Sequence, residues 1–251
     1  MGLIVDPQTR ARISDVNGRF FNPPYPVSAC FDGAGLPEDR IQKVHINPLS
    51  SVRLVNDKPN LLRTTSQKGF PVATHMGSDK FMDRGTFSLE KFGRVFPMDG
   101  DKTINYRDKS RNVEIGDLTD LLSVIGGLDK ERGVFQQLPS GYQTGSITAI
   151  PNAGGKKLVG GRHDVTNGIL HTNIPAQFKG AQPRVEEMGK DVIDALNLDY
   201  GHCIFAFDPS DPDNFKIVDI STTLNPQDCA LLRAYTDMMN HAFKTKHTKK
   251  R

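Results

Sequence analysis

The sequence predicts an α+β protein built on antiparallel sheets. Two observations lead there. Apolar runs of strand length are mixed with a few helical patterns instead of alternating strictly with them. Turn formers are also abundant: 23 Gly and 16 Pro in 251 residues imply short elements joined by many hairpins.

Taken in order, residues 1–40 are rich in Pro, Gly and Asn and read as irregular chain wrapping over something else. Residues 44–46 and 52–55 are short strand candidates. Asp57 is placed to cap a helix that Gly69 closes, and residues 70–74 follow as a strand. A turn-rich hairpin region covers 94–115. The helix expected over 117–125 turns Leu118, Leu121, Leu122 and Ile125 to one side and stops at Gly126-Gly127. Strands are expected at 134–138, 146–150, 157–160 and 169–173. A helix over 184–196 carries Val185, Met188, Val192 and Leu196 at helical spacing. Strands at 203–207 and 215–220 flank a turn rich in Asp and Pro. A last helix from about Pro226 places Leu231, Met238 and Ala242 on one side. No internal repeat is present.

Charge narrows the function classes. The chain has 32 Lys+Arg against 29 Asp+Glu, a net +3. The tail from Lys244 to Arg251 holds five basic residues and no acid, which leaves a body of 27 against 29. The body is therefore mildly acidic and is not a basic nucleic-acid binder. A weak, salt-sensitive nucleic-acid contact is expected only of the tail. No apolar run approaches the roughly 18 residues of a membrane span, so no membrane partner is expected. The N-terminus lacks a secretory pattern, and Asp6 stands where a myristoylation motif needs Ser or Thr. Cys30, Cys203 and Cys229 are odd in number and imply no disulfide framework. A soluble, cytoplasmic protein is the expectation. The seven His make no zinc-ligand spacing, and no Ser sits in a nucleophile-elbow motif.

Four segments carry a family likeness. Asn56-Asp57-Lys58 opens a helix that is followed by Gly69-Phe70-Pro71-Val72. Residues 133–141 contain Gln136-Gln137-Leu138. Residues 158–162 end in Arg162, and Leu170-His171-Thr172-Asn173 follows. Finally comes Ile217-Val218-Asp219-Ile220-Ser221, with Asn225 just beyond. In this order they resemble the ATP-grasp superfamily, and within it the branch of glutathione synthetase and the ribosomal-protein glutamate ligases. The likeness covers about Val44 to Cys229.

The resemblance implies an ATP-grasp-like fold, two lobes with antiparallel sheets holding a nucleotide cleft between them. Residues 44–132 would form the small lobe and 133–243 the larger, after an irregular 1–43 and before the tail at 244–251. ATP would phosphorylate a small-molecule or peptide carboxylate, and an amine would displace the acyl phosphate, with Mg²⁺ neutralising phosphate charge. Arg162 would be the catalytic group that steadies the transferring phosphoryl. Lys58 would contact the nucleotide, Lys102 would steady its phosphates, and Gln137 with Leu138 would sit against adenine. Asp219, Asn173 and, from a shifted register, Asn225 would hold the metal.

The family pattern is also broken at several positions. Met98 stands where a lysine is expected, Gln143-Thr144-Gly145-Ser146 where an acid and an arginine are expected, Ile204 where an acid is, and Ser221 where an asparagine is. A catalytically degenerate binding or structural module is therefore the alternative, and a nucleic-acid-associated α+β protein a third. Residue by residue, the plainer roles are a surface ion pair for Arg162 beside Asp164, outward-facing amides for Gln136 and Gln137, and a turn or cap for Asn173. Asp219 lies between apolar Val218 and Ile220 and needs a partner, Lys216 or an arginine, if it is not a ligand.

Overall fold

A computed structural model of the chain describes residues 28–29, 45–98, 100–108, 111–149, 169–198 and 201–222. The strand expected at 157–160 and the last helix lie outside the described residues. So do Arg162, Asn225 and the tail from Lys244 to Arg251.

In chain order, β1 (Ser28–Ala29) pairs in parallel with β2 (His45–Ile46). Helix α1 (Leu49–Asn56) replaces the strand expected at 52–55. Val52 and Val55 point to the core and Arg53 to solvent, a three-residue spacing that a helix satisfies and an alternating strand does not. Helix α2 (Lys58–Gln67) follows at once, and Asp57 caps it as expected, its carboxylate accepting from the Asn60 N–H at 3.2 Å. Gly69 closes the turn with φ +89°, a conformation that favours glycine.

The next strand, β3 (Thr74–Gly77), begins where the predicted one ends. Pro71 has no N–H to place in a ladder, so residues 71–73 only bridge to Ile217. The small hairpin of β4 (Met82–Asp83) and β5 (Thr86–Phe87) leads into α3 (Leu89–Val95). Then β6 (Lys102–Arg107) and β7 (Asn112–Ile115) supply the expected hairpin. Helix α4 (Leu118–Ile125) buries Leu121 and Val124 and leaves Leu118 and Leu122 52% and 53% exposed. Thr119, Asp120 and Ser123 fall on one side of it, and the opposite apolar side is broad enough that packing selects its Leu121–Val124 edge.

The rest of the chain contains β8 (Val134–Pro139), β9 (Gln143–Ala149), β10 (Ile169–Asn173), α5 (Gln182–Ala195), β11 (Gly201–Asp208) and β12 (Asp211–Ser221).

Among the described residues two four-stranded antiparallel sheets result, ordered β3-β8-β6-β7 and β10-β9-β11-β12. Strand β8, which begins just after residue 133, completes the first sheet. Each sheet buries one face under helices. In the first, Tyr106 and Phe135 meet Phe81, Phe92 and Phe96, with the Phe92 and Phe135 rings edge-on at 4.9 Å. In the second, Val185, Val192 and Ile193 of α5 pack on Ile147, Cys203 and Phe205. The opposite faces meet over a small apolar patch of Ala73, Leu138, Ala206 and Val218. No helix among the described residues is long and apolar enough to cross a membrane.

Candidate functional site between the two sheets

Alternation along each strand sends every second side chain to the inter-sheet side, and pairing aligns these into rows. On the second sheet one row reads Asn173, Ser146, Ile204, Asp219 across β10, β9, β11 and β12. The next reads His171, Thr148, His202, Ser221. Asn173 and His171 are exposed at the β10 edge, whereas Asp219 is only 7% exposed at the other. The face is thus open toward β10 and covered toward β12.

The covered end holds a charge cluster. Asp219 Oδ2 accepts from Arg107 Nη1 at 2.8 Å, and Oδ1 accepts from Lys58 Nζ at 2.6 Å. Oδ1 also takes the Ile220 N–H at 2.9 Å, while Lys58 Nζ donates to the Ile220 carbonyl at 3.1 Å. Lys58 and Arg107 are 7% and 8% exposed. Burial alone raises the Asp219 carboxyl, but the charges and hydrogen bonds of Lys58 and Arg107 outweigh it and hold the group below the usual carboxylate range. The cluster joins α2, the last residue of β6 and β12, so it ties the two sheets together. Asp219 thus has an arginine partner as its plainer role required, and Lys58 in place of Lys216.

Beside it lies unsatisfied polarity. Gln136 Nε2 donates to the Val218 carbonyl at 2.9 Å. Gln136 Oε1, Asn105 Oδ1 and Arg107 Nε are buried with no hydrogen-bond partner among the described residues. Gln136 and Asn105 are cross-strand neighbours on the face that carries Arg107. Buried polar atoms left unmatched cost free energy, and such atoms gathered on one face are what a polar ligand would satisfy.

Several sequence expectations change here. Lys58 does lie at the inter-sheet cluster. Lys102 does not: it starts β6, roughly 17 Å of strand from Arg107, and its side chain belongs to the opposite face. Arg107 is the second cation, and Met98 is an exposed loop residue outside any strand. Gln137 pairs with Ile104 on the side of the aromatic core, so Gln136 and Leu138 are the β8 residues that face the second sheet.

Asn173 and Asp219 share a row but stand on the first and fourth strands. Three strand spacings separate them by roughly 14 Å, so they do not ligate one ion. Arg107 and Asn105 are legible as an alternation with Ile104 and Tyr106 inside the hairpin region of 94–115.

No protein-family model and no curated protein matches the sequence. Solved structures do share its arrangement of sheets. The ATP-grasp ligase PsnB, in complex with a phosphomimetic variant of its minimal precursor, Mg and ADP, superposes with a TM-score of 0.51 at 12% identity, over 79% of this chain and 62% of that one. Biotin carboxylase from Campylobacter jejuni does so with 0.52 at 14% identity, over 79% and 48%.

The chain has the ATP-grasp fold.

N5-carboxyaminoimidazole synthase from Aspergillus clavatus, solved with ADP and 5-aminoimidazole ribonucleotide, gives 0.50 at 9% identity, over 72% and 48%. The chain spans 62% of the length of the first of these structures and 48% of the other two.

The described residues of the inter-sheet face do not fit Mg²⁺. Magnesium demands octahedral oxygen ligands at about 2.0–2.1 Å, typically with one or two carboxylates. Here the one carboxylate in the row already holds two cations, and its cross-strand neighbour is Ile204. No group of three or more His, Cys, Asp or Glu placed to hold a metal exists among the described residues.

Proposed function

We propose that the chain binds ATP between its two sheets and uses it as an ATP-dependent ligase, activating a carboxylate for attack by an amine. One observation carries this reading. The inter-sheet face of an ATP-grasp fold presents two cations, Lys58 and Arg107, next to buried polar atoms of Asn105, Gln136 and Arg107 that lack partners. The cations suit the phosphates, and the amide oxygens suit the exocyclic amine or ribose hydroxyls. Leu138 supplies an apolar surface for the base. In the reaction, a carboxylate oxygen attacks the γ-phosphorus and ADP departs. The amine nitrogen then attacks the acyl phosphate, releasing inorganic phosphate and a proton. Arg107 would hold the phosphates in line, and Arg162 is the proposed second donor to the transferring group. A carboxylate from a peptide or a small molecule, as in the glutathione synthetase branch, is the proposed substrate class.

A second reading, a nucleotide-binding module without turnover, is favoured by Ile204 in the row of Asp219 and by the engagement of Asp219 with both cations. Thermal-shift titration with ATP tests what the two readings share. A saturating nucleotide at a hundred times its Kd should stabilise the protein by about 2.7 kcal/mol. No shift at millimolar ATP would refute both. With binding established, ADP formation in mixtures of carboxylates and amines supports the ligase. Bound ATP recovered intact from every mixture supports the module.

A further inference from the structure

We propose that Lys58 and Arg107, fixed by Asp219, bind the nucleotide's phosphates without a divalent cation. This rests on the ATP-binding reading above and specifies how that site treats charge.

The cluster combines two full positive charges with one negative charge, all within 2.6–2.8 Å hydrogen bonds and at most 8% exposed. It therefore presents a net positive charge to the inter-sheet face. A divalent cation at Asp219 would enter a site already occupied by an ammonium and a guanidinium, and would have to break two buried ion pairs to find its ligand. Two further charged side chains share this face, Glu114 of β7 cross-strand from Asn105 and Lys216 of β12 cross-strand from Ala206, and their charges balance one another. The paired strand contributes His202 and Ile204, and burial lowers the His202 pKa.

A free polyphosphate finds the opposite situation. Lys58 Nζ donates to Asp219 and to Ile220, which uses two of its three donors. Arg107 gives one Nη1 bond to Asp219, and its Nε–H is buried with no partner among the described residues. Asp219 holds both side chains in place without neutralising them. The positive groups that a metal would otherwise supply to the phosphates are thus already part of the chain. The ligand class is a nucleoside triphosphate taken as the metal-free anion.

The test is calorimetric titration of the full wild-type chain with ATP, once in excess EDTA and once in excess Mg²⁺. The expected result is binding in EDTA at least as tight as in Mg²⁺, with no heat when Mg²⁺ is titrated alone. Arg107→Gln should then weaken binding in EDTA by roughly tenfold or more, the loss of a charge-assisted hydrogen bond. Binding that requires Mg²⁺, or that Mg²⁺ tightens tenfold, overturns the inference and leaves the ATP site standing. Absence of binding in both buffers refutes the ATP site itself. Unchanged EDTA binding by a folded Arg107→Gln removes Arg107 from the assignment. The wild-type comparison decides the metal question even if the variant does not fold.

Discussion

Replacing Asp219 by Ala should be among the most damaging single changes in this protein. The carboxylate is the common counter-ion of Lys58 and Arg107, which are 7% and 8% exposed. Removing it leaves two buried cations without an anion. Breaking one partner of a buried ion pair costs about 3–5 kcal/mol, a large share of the roughly 5–15 kcal/mol that holds a domain folded. For a chain of this length each kcal/mol moves Tm by roughly 2–4 °C, so a drop of roughly 6–20 °C is expected. Substituting Lys58→Met and Arg107→Met in the same chain should restore much of the loss, because an apolar replacement of a whole buried cluster is often neutral.

Calorimetric melts of the wild type, the single variant and the triple variant measure both effects. A pH series adds a second arm. The folded pKa of Asp219 lies below its unfolded value near 3.9. Its contribution is therefore complete above about pH 4 and is lost as pH falls through the lower folded value. Asp219→Asn should flatten that acid limb. An Asp219→Ala melt within about 2 °C of wild type would refute the reasoning, since it would mean that both cations reach water when released.

Other consequences can be tested alongside. Gly189→Ala places a Cβ against the Ile147 side chain where α5 crosses β9, and overpacking there should cost about 1–3 kcal/mol, read as a lowered denaturant midpoint; an unchanged midpoint would show that α5 has room to move. Burial, with a smaller push from His171, lowers the pKa of His202 against the pull of Asp219. Its contribution is therefore present above the unfolded value near 6.5 and lost as pH falls through the folded one; His202→Gln should remove that slope from Tm against pH, and an identical slope would count against it. Cys203 is fully buried, and burial followed by the Asp219 charge drives its thiol pKa well above the ordinary value. Alkylation of the native protein should spare Cys203 and alkylation in denaturant should modify it, by peptide mass; native modification would contradict its burial.

Much of the local architecture is legible in the chain because its causes are local. Asp57 caps a helix because its side chain reaches a backbone N–H three residues away, and Gly69 ends it because glycine tolerates positive φ. The β10, α5, β11 and β12 segments are foreseen because strand length and helical spacing are written within them. The errors occur where local signals are ambiguous or silent. Val52 and Val55 favour a strand by their β-branched side chains and a helix by their three-residue spacing, and packing settles it as helix. The apolar side of α4 is broad, so the aromatic core around Tyr106 and Phe135 decides which of its leucines are buried.

The site divides along the same line. An acid between Val218 and Ile220 announces from composition alone that Asp219 must find a partner or a ligand. The order of four short motifs is enough to suggest the ATP-grasp arrangement. Which partner Asp219 takes is invisible along the chain, because Arg107 lies 112 residues away and Lys58 lies 161 away. Those distances close only when β6 joins the first sheet, β12 joins the second and α2 packs across the end. One-residue parity in β8 then turns Gln136, and not Gln137, toward the shared face. Sequence specifies which side chains carry charge and how each segment coils. The juxtaposition of charges depends on long-range strand pairing, and no local pattern encodes that.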